Sequence, residues 1–115
     1  MRRWNGWGDE ANHYPMPAGG EAFLEARIGK GRILEDATLE AVIAQVPPSR
    51  LPEHPLIDRS PEARIRHSRG QSLPDWLAMR SGAFGVFTDG VASPESKEDI
   101  RALLALARNE SWILI

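Results

Sequence analysis

The sequence predicts an α+β protein in which a mostly helical N-terminal part is followed by a strand–helix–strand unit. Apolar residues recur at helical spacing in several stretches, and three of these follow an N-cap serine at Ser60, Ser72 or Ser96. A fully apolar run, Trp112–Ile115, is typical of a buried strand. We therefore expect two domains, a helical and irregular extension over residues 1–83 and a second domain beginning at residue 84.

The first part is expected to begin irregularly, because glycine and proline interrupt residues 1–20. Helices are then predicted over Glu21–Ile28, which ends at Gly29, and over Leu34–Val46, which stops before two prolines. Five prolines at positions 47, 48, 52, 55 and 61 make residues 47–61 a stiff, extended connector.

Two further helices should complete this part. Ser60 caps a helix that starts at Pro61 and runs to about Arg69. Ser72 and Asp75 form a capping box for the next helix, which ends at Gly82.

The last third has a different pattern. Short apolar pieces, Phe84–Phe87 and Gly90–Ala92, flank a turn at residues 88–90, and a helix capped by Ser96 and Asp99 should run to about Asn109. With Trp112–Ile115 this predicts a right-handed crossover between parallel strands. A buried parallel strand needs neighbours, so we expect the chain to be a piece of a larger protein. The alternative is that residues 112–115 pair at the edge of a small complete sheet.

Composition excludes several classes of function. The 115 residues carry a net charge of −2, which gives no basic footprint for nucleic acid. No apolar stretch is long enough to span a membrane. Cysteine is absent, which excludes disulfides and thiolate chemistry and fits a cytoplasmic location.

Two groups of residues are candidate binding sites. The aromatic group comprises Trp4, Trp7, His13 and Tyr14. It either stacks on a ligand or, as we favour, anchors an irregular N-terminal arm to the body of the protein. The basic group comprises Arg64, Arg66, His67 and Arg69. It either binds phosphate or, as we favour, forms a solvated face or pairs with carboxylates elsewhere.

Other polar residues have simpler interpretations. His13, His54 and His67 are too scattered for a metal signature. Ser72 and Ser96 are read as helix caps, and Gly29-Lys30-Gly31 is read as a turn, because the full phosphate-loop pattern is missing. The sequence therefore assigns no catalytic, cofactor-binding or metal-binding residue.

One segment carries a family resemblance. Residues 89–100, DGVASPESKEDI, continue into LLALA at 103–107 and WILI at 112–115. They resemble the opening of the FAD-binding domain of the vanillyl-alcohol oxidase superfamily. In that family the second strand leads to a Pro-x-Gly-Gly-Gly-Thr loop whose backbone amides hold the FAD pyrophosphate. Here that loop would begin at residue 116.

Two further stretches narrow the match. RWNGWG at residues 3–8 is similar to the opening of alkyldihydroxyacetonephosphate synthases and their bacterial relatives, and RIRHSRGQSL at 64–73, continuing to RSGAF at 80–84, resembles the segment that precedes their flavin domain. The resemblance covers residues 1–17 and 64–115. It implies a flavoprotein that either oxidises a hydroxy-acid-like substrate or exchanges an acyl group for a long-chain alcohol.

The resemblance also implies how this chain behaves. FAD is expected in the intact enzyme but not on this chain alone, which should be an inactive fragment. Its expected partners are the remainder of its own polypeptide and, through Trp112–Ile115, other copies of itself. The rival hypothesis is a small non-catalytic interaction module that presents the Arg64–Arg69 helix and the Trp4/Trp7 arm to a partner.

Overall fold

The computed structural model describes residues 2–115 and contains five helices and two strands. In chain order these are α1 (Gly20–Ile28), α2 (Leu39–Ile43), β1 (Ile57–Asp58), α3 (Pro61–His67), α4 (Leu73–Ser81), β2 (Val91–Ala92) and α5 (Lys97–Asn109). The two strands form one antiparallel sheet. At this coarse level the predicted α+β class is confirmed.

The chain forms two compact units, each made of two separate stretches. The first comprises the residues up to Gln45 together with Arg69–Gly85, and the second comprises Val46–Ser68 together with Val86–Ile115. The predicted division between residues 83 and 84 stays a prediction.

The predicted serine caps are confirmed. The hydroxyl of Ser60 accepts a hydrogen bond from the N–H of Ala63 at 3.4 Å, with Pro61 in the first turn. Ser72 and Ser96 each form a complete capping box with the aspartate three residues later. These bonds satisfy amide groups that a helix start otherwise leaves without partners.

Helix α2 is shorter than the predicted Leu34–Val46, which is wrong at both ends. It starts after Thr38, whose hydroxyl accepts the N–H of Ala41 at 3.2 Å. Asp36 lies outside the helix because its carboxylate accepts two hydrogen bonds from Arg80, at 2.7 and 2.8 Å. The sequence pattern places Asp36 at the start of the helix, but the ion pair with Arg80 holds this residue outside it.

The first unit has a small apolar core. Val42 of α2, Met79 of α4 and Phe84 are buried. Helix α4 ends at Gly82, as predicted, with a left-handed φ of 73°. A Cβ at this position would lie 2.9 Å from the Cβ of Ala37. Glycine therefore allows both the left-handed turn and the close approach of the backbone to Ala37.

The second unit corrects the predicted strand arrangement. β2 pairs antiparallel with β1, in the register Ile57↔Ala92 and Asp58↔Val91, so the predicted parallel crossover is wrong for the described chain. Residues 84–87 and 112–115 are not in strands in the described chain. β1 lies within the proline-rich connector, and its two residues are too few to produce a recognisable alternation.

Helix α5 ends in a Schellman motif. The N–H of Trp112 donates to the carbonyl of Ala107 at 2.8 Å, and the N–H of Ser111 donates to that of Arg108 at 3.4 Å. Ser111 adopts a φ of 56°, the left-handed conformation that glycine occupies most easily.

We expect Ser111→Gly to raise the free energy of unfolding by about 1 kcal/mol, since the left-handed conformation costs a residue with a Cβ about that much. Urea unfolding followed by circular dichroism measures the change. Ser93→Gly is the control, because Ser93 is exposed and is not among the residues with positive φ. Equal changes in the two variants would contradict the role given to the Ser111 conformation.

Candidate functional site

The turn at Thr88-Asp89-Gly90, immediately before β2, is held by side chains from several parts of the second unit. The hydroxyl of Ser49 donates to the carbonyl of Asp89 at 2.6 Å. The Asp89 carboxylate accepts hydrogen bonds from the Arg50 guanidinium at 2.5–3.1 Å and from the Arg50 backbone N–H at 3.2 Å. The guanidinium bonds in particular hold the pKa of Asp89 below its ordinary value.

Arg64 braces the same turn from inside. Its side chain on α3 is 2% exposed, and it donates from Nε to the carbonyl of Thr88 at 2.6 Å and from Nη1 to that of Pro47 at 2.7 Å. One guanidinium therefore joins the start of the connector to the turn before β2. Charge-assisted bonds of this kind are roughly twice as strong as neutral ones.

Two polar atoms near this contact lack a partner within the described chain. They are Nη2 of Arg64 and Oγ1 of Thr88, and both are buried. Ser68 satisfies the neighbouring backbone, because its hydroxyl donates to the carbonyl of Arg64 at 2.5 Å and accepts the N–H of Thr88 at 3.0 Å. The guanidinium of Arg64 thus bonds two neutral carbonyls, and its charge also interacts with the Asp89 carboxylate.

Gly90 completes the turn. A Cβ at this position would lie 2.7 Å from Cγ2 of Ile57 and 2.9 Å from Cδ1 of Leu51, so a larger residue would push into the neighbouring strand. The whole arrangement holds the backbone immediately before β2. Apart from Nη2 of Arg64 and Oγ1 of Thr88, the polar groups described here hold the backbone of the turn, so we assign it a positioning role.

The basic group of residues 64–69 does not form one site. Arg64 points inward, Arg66 forms an ion pair with Glu62 at 2.8 Å, and His67 is exposed. Arg69 belongs to the first unit, where it donates to the carbonyl of Phe84 and lies 3.8 Å from a carboxylate oxygen of Asp75. The ion pairs agree with the interpretation that we favoured. The burial of Arg64 was missed, because a basic residue in a basic run gives no sign of it.

The four residues of the aromatic group do not form one site either. Trp4 stacks on Phe84 with ring centroids 6.3 Å apart, and Trp7 packs edge-on against Trp76 at 5.3 Å. The carbonyl oxygen of Gln71 accepts the indole N–H groups of both Trp7 and Trp76. Two tryptophans therefore anchor the arm, as we favoured.

The other aromatic candidates, His13 and Tyr14, are exposed. Neither has a side-chain hydrogen bond or ring contact within the part of the chain that the structure describes. Nothing there joins them to the tryptophans as a single site.

No group of three or more metal-binding side chains occurs in the described residues. His54 instead accepts the N–H of Leu56 on Nδ1 at 3.2 Å. Gly29-Lys30-Gly31 lies exposed after α1. No helix within residues 2–115 is sufficiently long and apolar to cross a membrane.

An open cleft of about 270 Å³ lies beside β2. Its lining residues are Pro55, Leu56, Asp58, Val91, Ser93, Glu95 and Asp99. Three carboxylates in this wall would repel the diphosphate of FAD, and Asp99 already accepts the N–H groups of Glu95 and Ser96 at 3.1 and 3.0 Å. The residues present here do not fit the flavin diphosphate, and we derive no step through it.

Comparison with known proteins adds no relative: no family model, curated protein or solved structure matches the chain.

Proposed function

We propose that this chain serves as the N-terminal part of an FAD-dependent oxidoreductase or alkyldihydroxyacetonephosphate-synthase-like enzyme. The proposal rests on the resemblance of residues 89–115 to the opening of a flavin domain. One structural observation supports it most: the second unit leaves a large amount of apolar side chain exposed to solvent.

That exposure is concentrated at the end of the described chain. Ile113 is 89% exposed, Ile115 is fully exposed, and more than half of Leu114 is accessible. Ile100 and Leu104 on α5 are each about half exposed. Burying one such side chain contributes about 1.5–3 kcal/mol. A flavin domain that covered these residues with its sheet would gain that energy, and exposed apolar groups in such numbers indicate an interaction site.

In this proposal the chain performs no chemistry of its own. Its contribution is to hold the first strand and helix of a flavin domain in place. The braced turn at residues 88–90 supports that role, because Arg64, Ser49 and Arg50 all fix the backbone just before β2.

The first test reads the coding sequence after codon 115. We expect Pro-x-Gly-Gly-Gly-Thr at once, and the protein expressed with that extension should show the absorbance spectrum of bound flavin. A stop codon, or an extension without a glycine-rich loop, would overturn the proposal.

The second test titrates residues 1–115 alone with FAD. We expect no saturable binding in the micromolar range, because residues 1–115 contain no Pro-x-Gly-Gly-Gly-Thr loop, whose backbone amides would hold the diphosphate. Isothermal calorimetry measures this directly. Saturable binding would show that residues 1–115 are sufficient to bind FAD. The expected position of the flavin-binding loop, from residue 116, would then be wrong.

The rival function, a non-catalytic interaction module, keeps one of its two supporting features. Trp7 remains 70% exposed although its N–H is engaged, so the arm does present an aromatic surface. The arginine helix does not present its basic residues in the same way, because Arg64 is buried and Arg66 is paired. This function becomes the leading one if the extended coding sequence lacks the glycine-rich loop.

A further inference from the structure

Helix α5 has one side that is packed and another that is exposed. Ala107 is buried, and Leu103 and Leu106 are half-buried, so these residues mark the packed side. Ile100 and Leu104 lie one turn apart on a different side, and each is about half exposed. The helix therefore leaves an apolar pair in water although it already has a packed side.

Three cations lie beside this apolar pair. Around the helix axis, Lys97 is displaced from Leu104 by about 20° and Arg108 by about 40°. Arg101 is displaced in the same direction by about 60°. We call the combined surface the outward face of α5, and its five exposed residues are Lys97, Ile100, Arg101, Leu104 and Arg108.

The stability of the helix does not explain where these cations lie. Lys97 is the first residue of α5, where a positive charge opposes the helix dipole. No ion pair joins Lys97 or Arg108 to a carboxylate within residues 2–115, and Arg101 has only an exposed pair with Glu98 at 3.4 Å. Pairs of this exposed kind contribute about 0–1 kcal/mol. The positive charge of the outward face is therefore available to a partner.

We propose that the outward face of α5 docks against an apolar surface bordered by carboxylates, presented by the remaining part of the intact polypeptide. The inference rests on the proposed function, which already requires a cover for Ile100 and Leu104. It adds the chemistry of that cover, because an interface usually combines an apolar centre with a polar rim. Apolar side chains would meet Ile100 and Leu104, and carboxylates would lie along the edge that faces the three cations.

Two other negatively charged partners fit the outward face less well. A lipid surface takes up a helix along a whole apolar side, but the apolar side of α5 is already partly packed, with Ala107 buried. Membranes and nucleic acids also present extended negative charge, which the net charge of −2 on this chain opposes. A protein surface can place a few carboxylates opposite the cations alone.

The test titrates the 115-residue chain into a fluorescent synthetic peptide that carries leucine and glutamate at helical spacing. Fluorescence anisotropy is measured at a protein concentration where light scattering shows monomer. We expect saturable binding that weakens at high salt. A control peptide with lysine in place of every glutamate should bind much more weakly, because its charges repel those of the outward face.

Charge-reversal variants locate the binding. Lys97→Glu should raise the Kd of the acidic peptide about fivefold, because an attractive exposed pair becomes a repulsive one. A carboxylate at this position suits the helix dipole, so circular dichroism should show α5 retained. Lys30→Glu is the matched control, because it makes the same change of charge at an exposed lysine of the first unit, and it should leave the Kd unchanged.

A second pair of variants tests the apolar contribution. Leu104→Ser should weaken binding of the acidic peptide, whereas Leu77→Ser, which alters a similarly exposed leucine on α4, should not. The inference is overturned if the acidic and lysine peptides bind equally, or if Lys97→Glu and Lys30→Glu have equal effects. It is also overturned if phosphatidylserine vesicles or a DNA duplex bind residues 1–115 and the acidic peptide does not.

The extended protein separates this inference from the proposed function. If the extension carries the glycine-rich loop and binds flavin, the outward face should be covered, and the acidic peptide should no longer bind. A flavin-loaded protein that binds the peptide as tightly as residues 1–115 do would leave the proposed function intact and overturn the docking inference. Failure of the proposed function is seen separately, as a missing loop in the coding sequence or missing flavin absorbance.

Discussion

Arg64→Met is expected to lower the free energy of unfolding by about 3 kcal/mol. The wild-type guanidinium bonds the carbonyls of Pro47 and Thr88 at 2.7 and 2.6 Å inside the second unit. Methionine fills a similar volume but donates nothing, so both carbonyls lose a charge-assisted partner in a place that water does not reach. Each buried group left without a partner costs about 1–3 kcal/mol. Denaturant unfolding, at a concentration where light scattering shows monomer, measures the difference.

The matched control is Arg66→Met on the same helix. Arg66 forms an ion pair with the half-exposed Glu62, and pairs near the surface contribute about 0–1 kcal/mol. Arg64→Lys should resemble Arg64→Met, because one ammonium group does not reproduce the fork that reaches two separate carbonyls. If Arg64→Met is as stable as wild type, the cost of burying the charge equals the gain from its two bonds. The cost of burying Nη2 of Arg64 without a partner would then explain why the two bonds give no net stabilisation.

Local chemistry explains which parts of the fold were predictable. Ser60, Ser72 and Ser96 are recognisable as caps because the hydroxyl and the amide that it accepts lie within four residues of chain, as does the partner carboxylate of Ser72 and of Ser96. The same holds for Gly82, where one residue supplies the left-handed turn. Such signals need no knowledge of the rest of the molecule.

The features that were missed depend on residues distant in sequence. The sequence pattern places Asp36 at the start of a helix. In the structure Arg80, 44 residues away, binds the Asp36 carboxylate outside the helix. In the sequence Arg64 is one of several cations in a basic run, and only the folded chain brings the carbonyl of Thr88, 24 residues on, beside it. The run Trp112–Ile115 has strand-forming composition, yet a strand exists only where a second segment offers hydrogen bonds.

That unpaired segment leads to the second large effect: the chain should self-associate, and Leu114→Lys should shift it toward monomer. Residues 113–115 are exposed, apolar and without a pairing segment in the described chain. Backbone groups in an extended apolar segment recruit a second copy by strand addition, and burying each large side chain contributes about 1.5–3 kcal/mol. A lysine on this segment would have to be desolvated in the dimer, which opposes association.

Light scattering across a concentration series measures the effect, with Leu73→Lys as the control. Leu73 is also an exposed leucine, but it lies at the start of α4 in the first unit, so its replacement should leave the distribution unchanged. Amide exchange supplies an independent readout, because protection of residues 112–115 should rise with protein concentration if they form the interface. A monomer at all concentrations, with slow exchange at those amides, would instead mean that the segment is already protected within one chain.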